Sequence, residues 1–441
     1  MPGCHQKLNN MKKLIIITCF LSVSRCFGQD VNKLIQQSDV ERIIKTLAAD
    51  DMQGRATFTP GIEKAAQFIE SEYKQIGLKP LPGDDGFRQN FTMTRVKPVK
   101  TLVEINGKLI SADSVMASTD ATSLQWNNDQ GVQVAKIAAG MNFRTEYRKY
   151  FNGGKKVLIL VDPQFTAVFN MLRDRVLRGT VTNKPKPDQA LVLVLGNHDD
   201  LKSFSVSHTG RSEQLPLFNI AGIISGKTKP NEYVIFSGHY DHLGILKPVK
   251  GDSIANGADD DASGTTAVIE LARYFKKLNS NERTLVFVAF TAEEIGEYGS
   301  QHFATTVDPD KVVAMFNIEM IGKPSKFGEN SAFITGFERS DFGTILQGNL
   351  DGTAFKFYPD PYPDQNLFYR SDNASLARVG VPAHTISTDQ IDIDKLYHTV
   401  GDEVSTLDMS NITSTIRAIA LSSRSIVGGK DTPKRVAKPE R

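Results

Sequence analysis

The chain has 441 residues, too many for one small module and enough for a large α/β domain with an insertion. Its 52 Lys and Arg nearly cancel 50 Asp and Glu, which excludes the broad basic field of a nucleic-acid binder. An apolar content of 40% with 34 Gly and 19 Pro excludes a disordered, collagenous or coiled-coil chain. The cysteines, Cys4, Cys19 and Cys26, all precede residue 28, so nothing beyond can form a disulfide, a thiolate zinc site or a thiol nucleophile.

Residues 1–28 have the pattern of an export signal. Met11 reads as the initiator, Lys12 and Lys13 precede an apolar run over 14–23, and Cys26 and Gly28 lie three and one before a cut ahead of Gln29. The run is too short for a stable membrane span, and neither Cys19 nor Cys26 follows a lipidation box. A periplasmic or secreted protein is therefore expected, rather than a retained anchor or a lipoprotein. Cleavage removes four basic residues and no acid, taking the net charge from +2 to −2.

Residues 40–78 read as two helices. Val40, Ile43, Ile44 and Leu47 recur at helical spacing, a polar stretch at 51–55 breaks the pattern, and Ala65, Ala66, Ile69, Tyr73 and Ile76 resume it up to Gly77. From about 101 to 214 the texture becomes loop-rich, with β-type runs at 156–161 and 190–195. This predicts an inserted, mainly β subdomain over 95–215 between segments 29–94 and 216–429 of the main domain. After 215, strands are expected at 233–236, 284–290, 312–317 and 381–386, with an amphipathic helix over 263–278 capped by Ser263. Such alternation predicts an α/β fold, a mixed, largely parallel sheet flanked by helices, whose ligands bind beyond the carboxyl ends of the strands. Residues 430–441, with five basic residues and two prolines, read as a flexible basic tail.

Each expected strand delivers polar groups where it ends. The strand from 233 runs into SGHYDHLG at 237–244, that from 284 into TAEEIGEYGS at 291–300, and that from 312 into NIEMIG at 317–322. GADDDASG at 257–264 opens the amphipathic helix. So many carboxylates on one rim repel unless a cation compensates them, and without thiolates a histidine and carboxylate set suits zinc or another divalent metal. Of two adjacent Glu residues, one can bind metal while the other stays free as a base.

These motifs, with YHTVGDE at 397–403 and DDMQGRATFTPGIEKAA at 50–66, resemble metallopeptidase family 28, the co-catalytic zinc aminopeptidases. The resemblance implies a zinc-peptidase, phosphorylase/hydrolase-like fold and two Zn2+. By it, His239 and Glu319 hold one ion, Glu294 and His398 the other, and Asp260 bridges both. Asp241 orients the His239 imidazole and Glu293 is the general base. The implied activity is hydrolysis of N-terminal peptide bonds by metal-activated water. The alternatives on the same scaffold are a carboxypeptidase, a glutaminyl cyclase or a non-catalytic binding protein.

The sequence departs from the family twice, with Glu319 where Asp is usual and Asn373 where many relatives carry His. His242 receives no role, and Arg370 has no place from sequence alone. The insertion stands where relatives carry a protease-associated domain, and is expected to limit substrate size. Peptides are the expected partners, with no nucleic acid and no stable membrane span. The sequence does not indicate the oligomeric state.

Overall fold

The computed structural model describes residues 31–439 apart from 129 and 154. The export signal expected over 1–28 lies outside the described residues. No helix among the described residues is long and apolar enough to cross a membrane. The described residues divide into two compact units, one formed by those up to Asn90 with those from Leu217 onward and the other by Phe91–Pro216.

The first unit is built on strands β1 (Phe204–Ile224, from Leu217 onward), β2 (Lys229–His239), β3 (Arg283–Phe290), β4 (Val312–Ile318), β5 (Ser331–Ile334), β6 (Lys356–Pro359) and β7 (Ala383–Ser387). Their order across the sheet is β6-β5-β7-β4-β2-β3-β1. β2 pairs in parallel with β3 and β4, and β4 with β7, while β1 and β5 run antiparallel to β3 and β7. The fold is thus the expected mixed, largely parallel sheet. All eight residues of β3 and all seven of β4 are buried, as near-continuous apolar runs require when helices cover both sheet faces.

Phe236 on β2 centres this core. It stands in register with Phe287 on β3 and Phe316 on β4 and stacks on both, with ring centroids 5.4 and 4.9 Å away. Phe275 packs against the same ring from helix Gly264–Leu278. Helices Gln37–Leu47 and Pro60–Ile76 bury the stripes expected of them, and Pro60–Ile76 ends on Gly77 in the left-handed conformation that glycine adopts without strain.

Two expectations are corrected here. Ser263 does not cap the Gly264–Leu278 helix, because its own backbone is helical and its hydroxyl donates to the Asp259 carbonyl. The capping acceptor is Asp261, whose Oδ1 takes the Gly264 N–H at 3.0 Å. The C-terminal stretch is not loose over its first residues. The Arg283 guanidinium donates to the Asp431 carbonyl and the Thr432 hydroxyl, Val436 N–H donates to Gly380, and Val436 is buried.

The second unit carries a four-stranded sheet of Val115–Thr119, Ala190–Leu195, Lys156–Val161 and Gln133–Ile137, in that order. Leu158, Val192 and Val194 belong to one of its buried clusters, Ile159 and Leu193 to another. Two helices, Phe143–Phe151 and Thr166–Arg178, accompany this sheet.

Candidate active site

The polar strand ends converge as the alternation predicts. β2 ends on His239, which is buried, and its Nδ1 lies 3.1 Å from the Asp241 backbone carbonyl. A carbonyl can only accept, so Nδ1 carries the proton and Nε2 is left as the free lone pair, 3.2 Å from Asp260 Oδ1. The Asp241 carboxylate is 3.9 Å from Nδ1, beyond hydrogen-bond reach. It accepts instead from the backbone N–H groups of Glu293 and Glu294, at 3.1 and 3.4 Å. Asp241 therefore orients the imidazole through its backbone, and its carboxylate fixes the paired glutamates.

The three aspartates of the GADDDASG turn separate into different tasks. Asp260 faces the cleft, with Oδ1 toward His239 and Oδ2 3.3 Å from His398 Nε2 and 3.7 Å from His242 Nδ1. Asp261 ties three segments together, accepting from His239 N–H, Gly264 N–H and Met320 N–H. Asp259 accepts from Gly322 N–H at 2.7 Å. The backbone of the turn is held from the other side by Asp402, whose carboxylate accepts the N–H groups of Asp259 and Asp260.

Glu294 meets two histidines, with Oε2 3.2 Å from His398 Nε2 and Oε1 2.7 Å from His242 Nδ1. His239, Asp260 and Glu319 present one cluster of ligand atoms within 4.8 Å of one another, and His242, Asp260 and Glu294 present a second. His242, to which the sequence assigned nothing, is thus part of the site. It stands three residues after His239, in the loop that follows β2, the one signal available. His398 has a side chain 39% exposed, and Tyr397 stacks on its ring at 3.8 Å.

The electrostatics are those of a crowded acidic cleft. Burial, with Glu319, Asp372 and Glu294 close by, holds Glu293 well above the usual carboxylate range. Burial and Asp260 raise Glu319 to about 7. Burial and Glu294 raise Asp241 to about 6. Although burial opposes it, Asp260 and Glu294 push His398 up to about 10. Buried and without hydrogen-bond partners are His239 Nε2, Asp260 Oδ2, Glu294 Oε1 and Glu319 Oε2. Orphaned buried lone pairs that face one another are costly on their own, and a divalent cation fits the donor set.

The early motif at 50–66 contributes a further residue to the site. Arg55, in the early 50–66 motif, is fully buried and donates to the carbonyls of Tyr240, Asn256 and Gly257, as well as Leu47. It joins the loop after His239 to the turn before Asp260. Arg370 lines a pocket that also borders Glu319. Asn373 donates to the Phe368 and Ala383 carbonyls, which makes it a support for the pocket wall.

A probable zinc metalloprotease of Pyrenophora tritici-repentis is 35% identical over 129 residues, 28% of this chain and 29% of that one. Leucine aminopeptidase 1 of Ajellomyces capsulatus is 29% identical over 209 residues, 44% of this chain and 52% of that one. The chain spans about half, or less, of the length of these curated relatives. Among solved structures, the aminopeptidase from Aneurinibacillus sp. strain AM-1 superposes with a TM-score of 0.55 at 17% identity, covering 93% of this chain and 98% of that one. A zinc aminopeptidase from Bacillus subtilis gives a TM-score of 0.53 at 15% identity over 92% and 99% of the two chains. At those identities the likeness shows the shared fold. The segment that carries His239, Asp260, Glu293, Glu294, Glu319 and His398 matches a family model of its own, that of Peptidase family M28, over residues 219–422.

Proposed function

We propose that the protein is an exported zinc-dependent aminopeptidase that hydrolyses the peptide bond next to a free amino terminus. The observation that carries this reading is the set of buried, unpartnered donor atoms around Asp260, whose two carboxylate oxygens face separate histidines. His239, Asp260 and Glu319 would hold one Zn2+, and Asp260, Glu294 and His398 a second, with His242 Nδ1 close to Glu294 Oε1 beside it. Bound zinc supplies Lewis-acid polarisation of the scissile carbonyl and acidifies water.

The protein's own groups do the rest. Glu293 accepts the proton of the attacking water and returns it to the leaving amine, so the water oxygen ends on the new carboxylate as the C–N bond breaks. Asp241 fixes where Glu293 stands by accepting its backbone N–H. The carboxylates beyond those used on metal give the substrate ammonium an acidic seat, which favours cutting at a chain end. Names carried by the similar proteins, zinc metalloprotease and leucine aminopeptidase, agree with this reading.

A second reading, carboxypeptidase action, is favoured by the place of Arg370 in the pocket beside Glu319, where a guanidinium can clamp a terminal carboxylate. A panel of aminoacyl amides, N-acetylated peptides and peptides with free or amidated carboxyl ends, with and without chelator, separates the two. Cleavage restricted to free amino termini and abolished by chelation is expected. Cleavage that instead requires a free carboxyl end overturns the aminopeptidase assignment.

A further inference from the structure

A pocket beside Glu319 holds about 480 Å³ of empty space, the solvent at its open mouth included. Phe333, Leu367 and Ile391 give it apolar walls, and its charged groups besides Glu319 are Arg370 and Asp389. The two differ in their surroundings. Arg370 is exposed and donates to Gln365 Oε1 at 3.3 Å, so water screens its charge. Asp389 is 3% exposed, and neither carboxylate oxygen has a hydrogen-bond partner.

Asp389 also stands in an acidic surplus. Asp259, Asp389 and Asp394 bring carboxylate oxygens within 4.8 Å of one another. One ammonium serves them, since Lys323 Nζ lies 2.6 Å from Asp394 and 3.3 Å from Asp259. No ion pair to Asp389 exists among the described residues. Burial, with Asp259 and Asp394 adding to it and Lys323 opposing, pushes Asp389 up to about 8. At neutral pH the empty side chain therefore carries its proton, and a cation seated beside it draws it into the ionised form, where at low dielectric the pull outweighs the repulsion of a hydrated guanidinium at the rim.

Resting on the aminopeptidase reading, we propose that Asp389 selects a basic side chain, Lys or Arg, at the N-terminal residue of the substrate. The aliphatic stem lies along Phe333, Leu367 and Ile391 while the ammonium or guanidinium donates to Asp389.

Hydrolysis of lysyl, arginyl, leucyl, alanyl and glutamyl p-nitroanilides is measured beside calorimetric binding of lysinamide, leucinamide and glutamic acid amide, all with zinc-loaded full-length protein. The expected result is the highest kcat/KM for lysyl and arginyl substrates. Asp389→Asn then lowers these about 100-fold and changes leucyl and alanyl rates less than threefold. The ranking in the unaltered protein tests the idea even if Asp389→Asn fails to fold. Equal kcat/KM across the panel overturns the proposal and leaves the aminopeptidase standing. A glutamyl preference that Arg370→Met abolishes overturns it in favour of Arg370. An extra bound metal equivalent, lost in Asp389→Asn together with activity toward every substrate, overturns it in favour of a cation site. Tight lysinamide binding with no hydrolysis of any substrate supports the pocket and refutes the aminopeptidase.

Discussion

Replacing Arg55 by leucine tests whether the two loops of the site are held from beneath. Arg55 is fully buried, and its guanidinium donates to Leu47, Tyr240, Asn256 and Gly257 carbonyls at 2.6 to 2.9 Å. Each orphaned buried carbonyl costs about 1–3 kcal/mol. Four of them would cost about 4–12 kcal/mol before relaxation, which the relief of burying a guanidinium reduces by several kcal/mol. A net loss of about 3–5 kcal/mol is expected, the size seen when one partner of a buried charged group is removed. With a urea dependence of roughly 3 kcal/mol per molar, the midpoint moves down by about 1 M or more. Far-ultraviolet circular dichroism is the suitable probe, because the single tryptophan, Trp126, lies in the 91–216 unit. Zinc affinity falls as well, since Tyr240 follows His239 and Gly257 precedes Asp260. Arg55→Lys keeps the charge but not the fork of donors, and recovers only part of the loss. An Arg55→Leu protein with an unchanged midpoint and unchanged zinc affinity would refute the reasoning.

What the sequence disclosed and what it hid follow from the range of the interactions involved. β3 and β4 are legible because burial on both faces makes them unbroken apolar runs, and their polar ends then mark the rim of the sheet without further information. Asp260 could be told from Asp259 and Asp261 only through the motif. Their separate tasks depend on partners at Met320, Gly322 and Asp402, 59 to 143 residues away. The same distance problem hid Arg55, whose partners at 256 and 257 lie about 200 positions on. Ser263 had the chemistry of a cap, but Asp261 reaches the first helical N–H and leaves it no such work. The helices of the insertion were missed because each buries only one residue, Phe143 or Phe169, too little for a periodic stripe. Residues 430–436 looked loose by composition, and contacts with Arg283 and Gly380 decided otherwise.

Glu293→Gln keeps the proposed ligand set and removes the proposed base. It is expected to bind zinc as the unaltered protein does and to lose at least about a thousandfold in kcat, measured by chelator competition and steady-state rates. Unchanged turnover would remove Glu293 from its role. Lys323→Met leaves Asp259 buried without its ammonium and frees Asp394, which accepts Leu396 N–H two residues before His398. A loss of about 2 kcal/mol in stability and roughly tenfold in zinc affinity is expected, and a wild-type melting temperature would contradict it. His384 governs an acid response away from the cleft. Its Nδ1 donates to the Thr335 carbonyl at 2.8 Å, Nε2 accepts from the Ser340 hydroxyl at 2.8 Å, and Phe342 stacks on the ring. Burial, with Arg339 adding to it and the Thr335 carbonyl opposing, pushes His384 from 6.5 down to about 4. The folded state therefore favours the neutral ring. The stability this supplies is complete above pH 6.5 and is lost as the pH falls toward 4, because the unfolded chain takes up the proton first. By pH 5 the loss amounts to about 2 kcal/mol. Urea midpoints at pH 7 and pH 5 are compared for the unaltered protein and His384→Gln. The variant is less stable at pH 7 but loses about 2 kcal/mol less on acidification. Equal losses in the two proteins would mean that His384 titrates alike in the folded and unfolded chains, and that its burial carries no acid penalty.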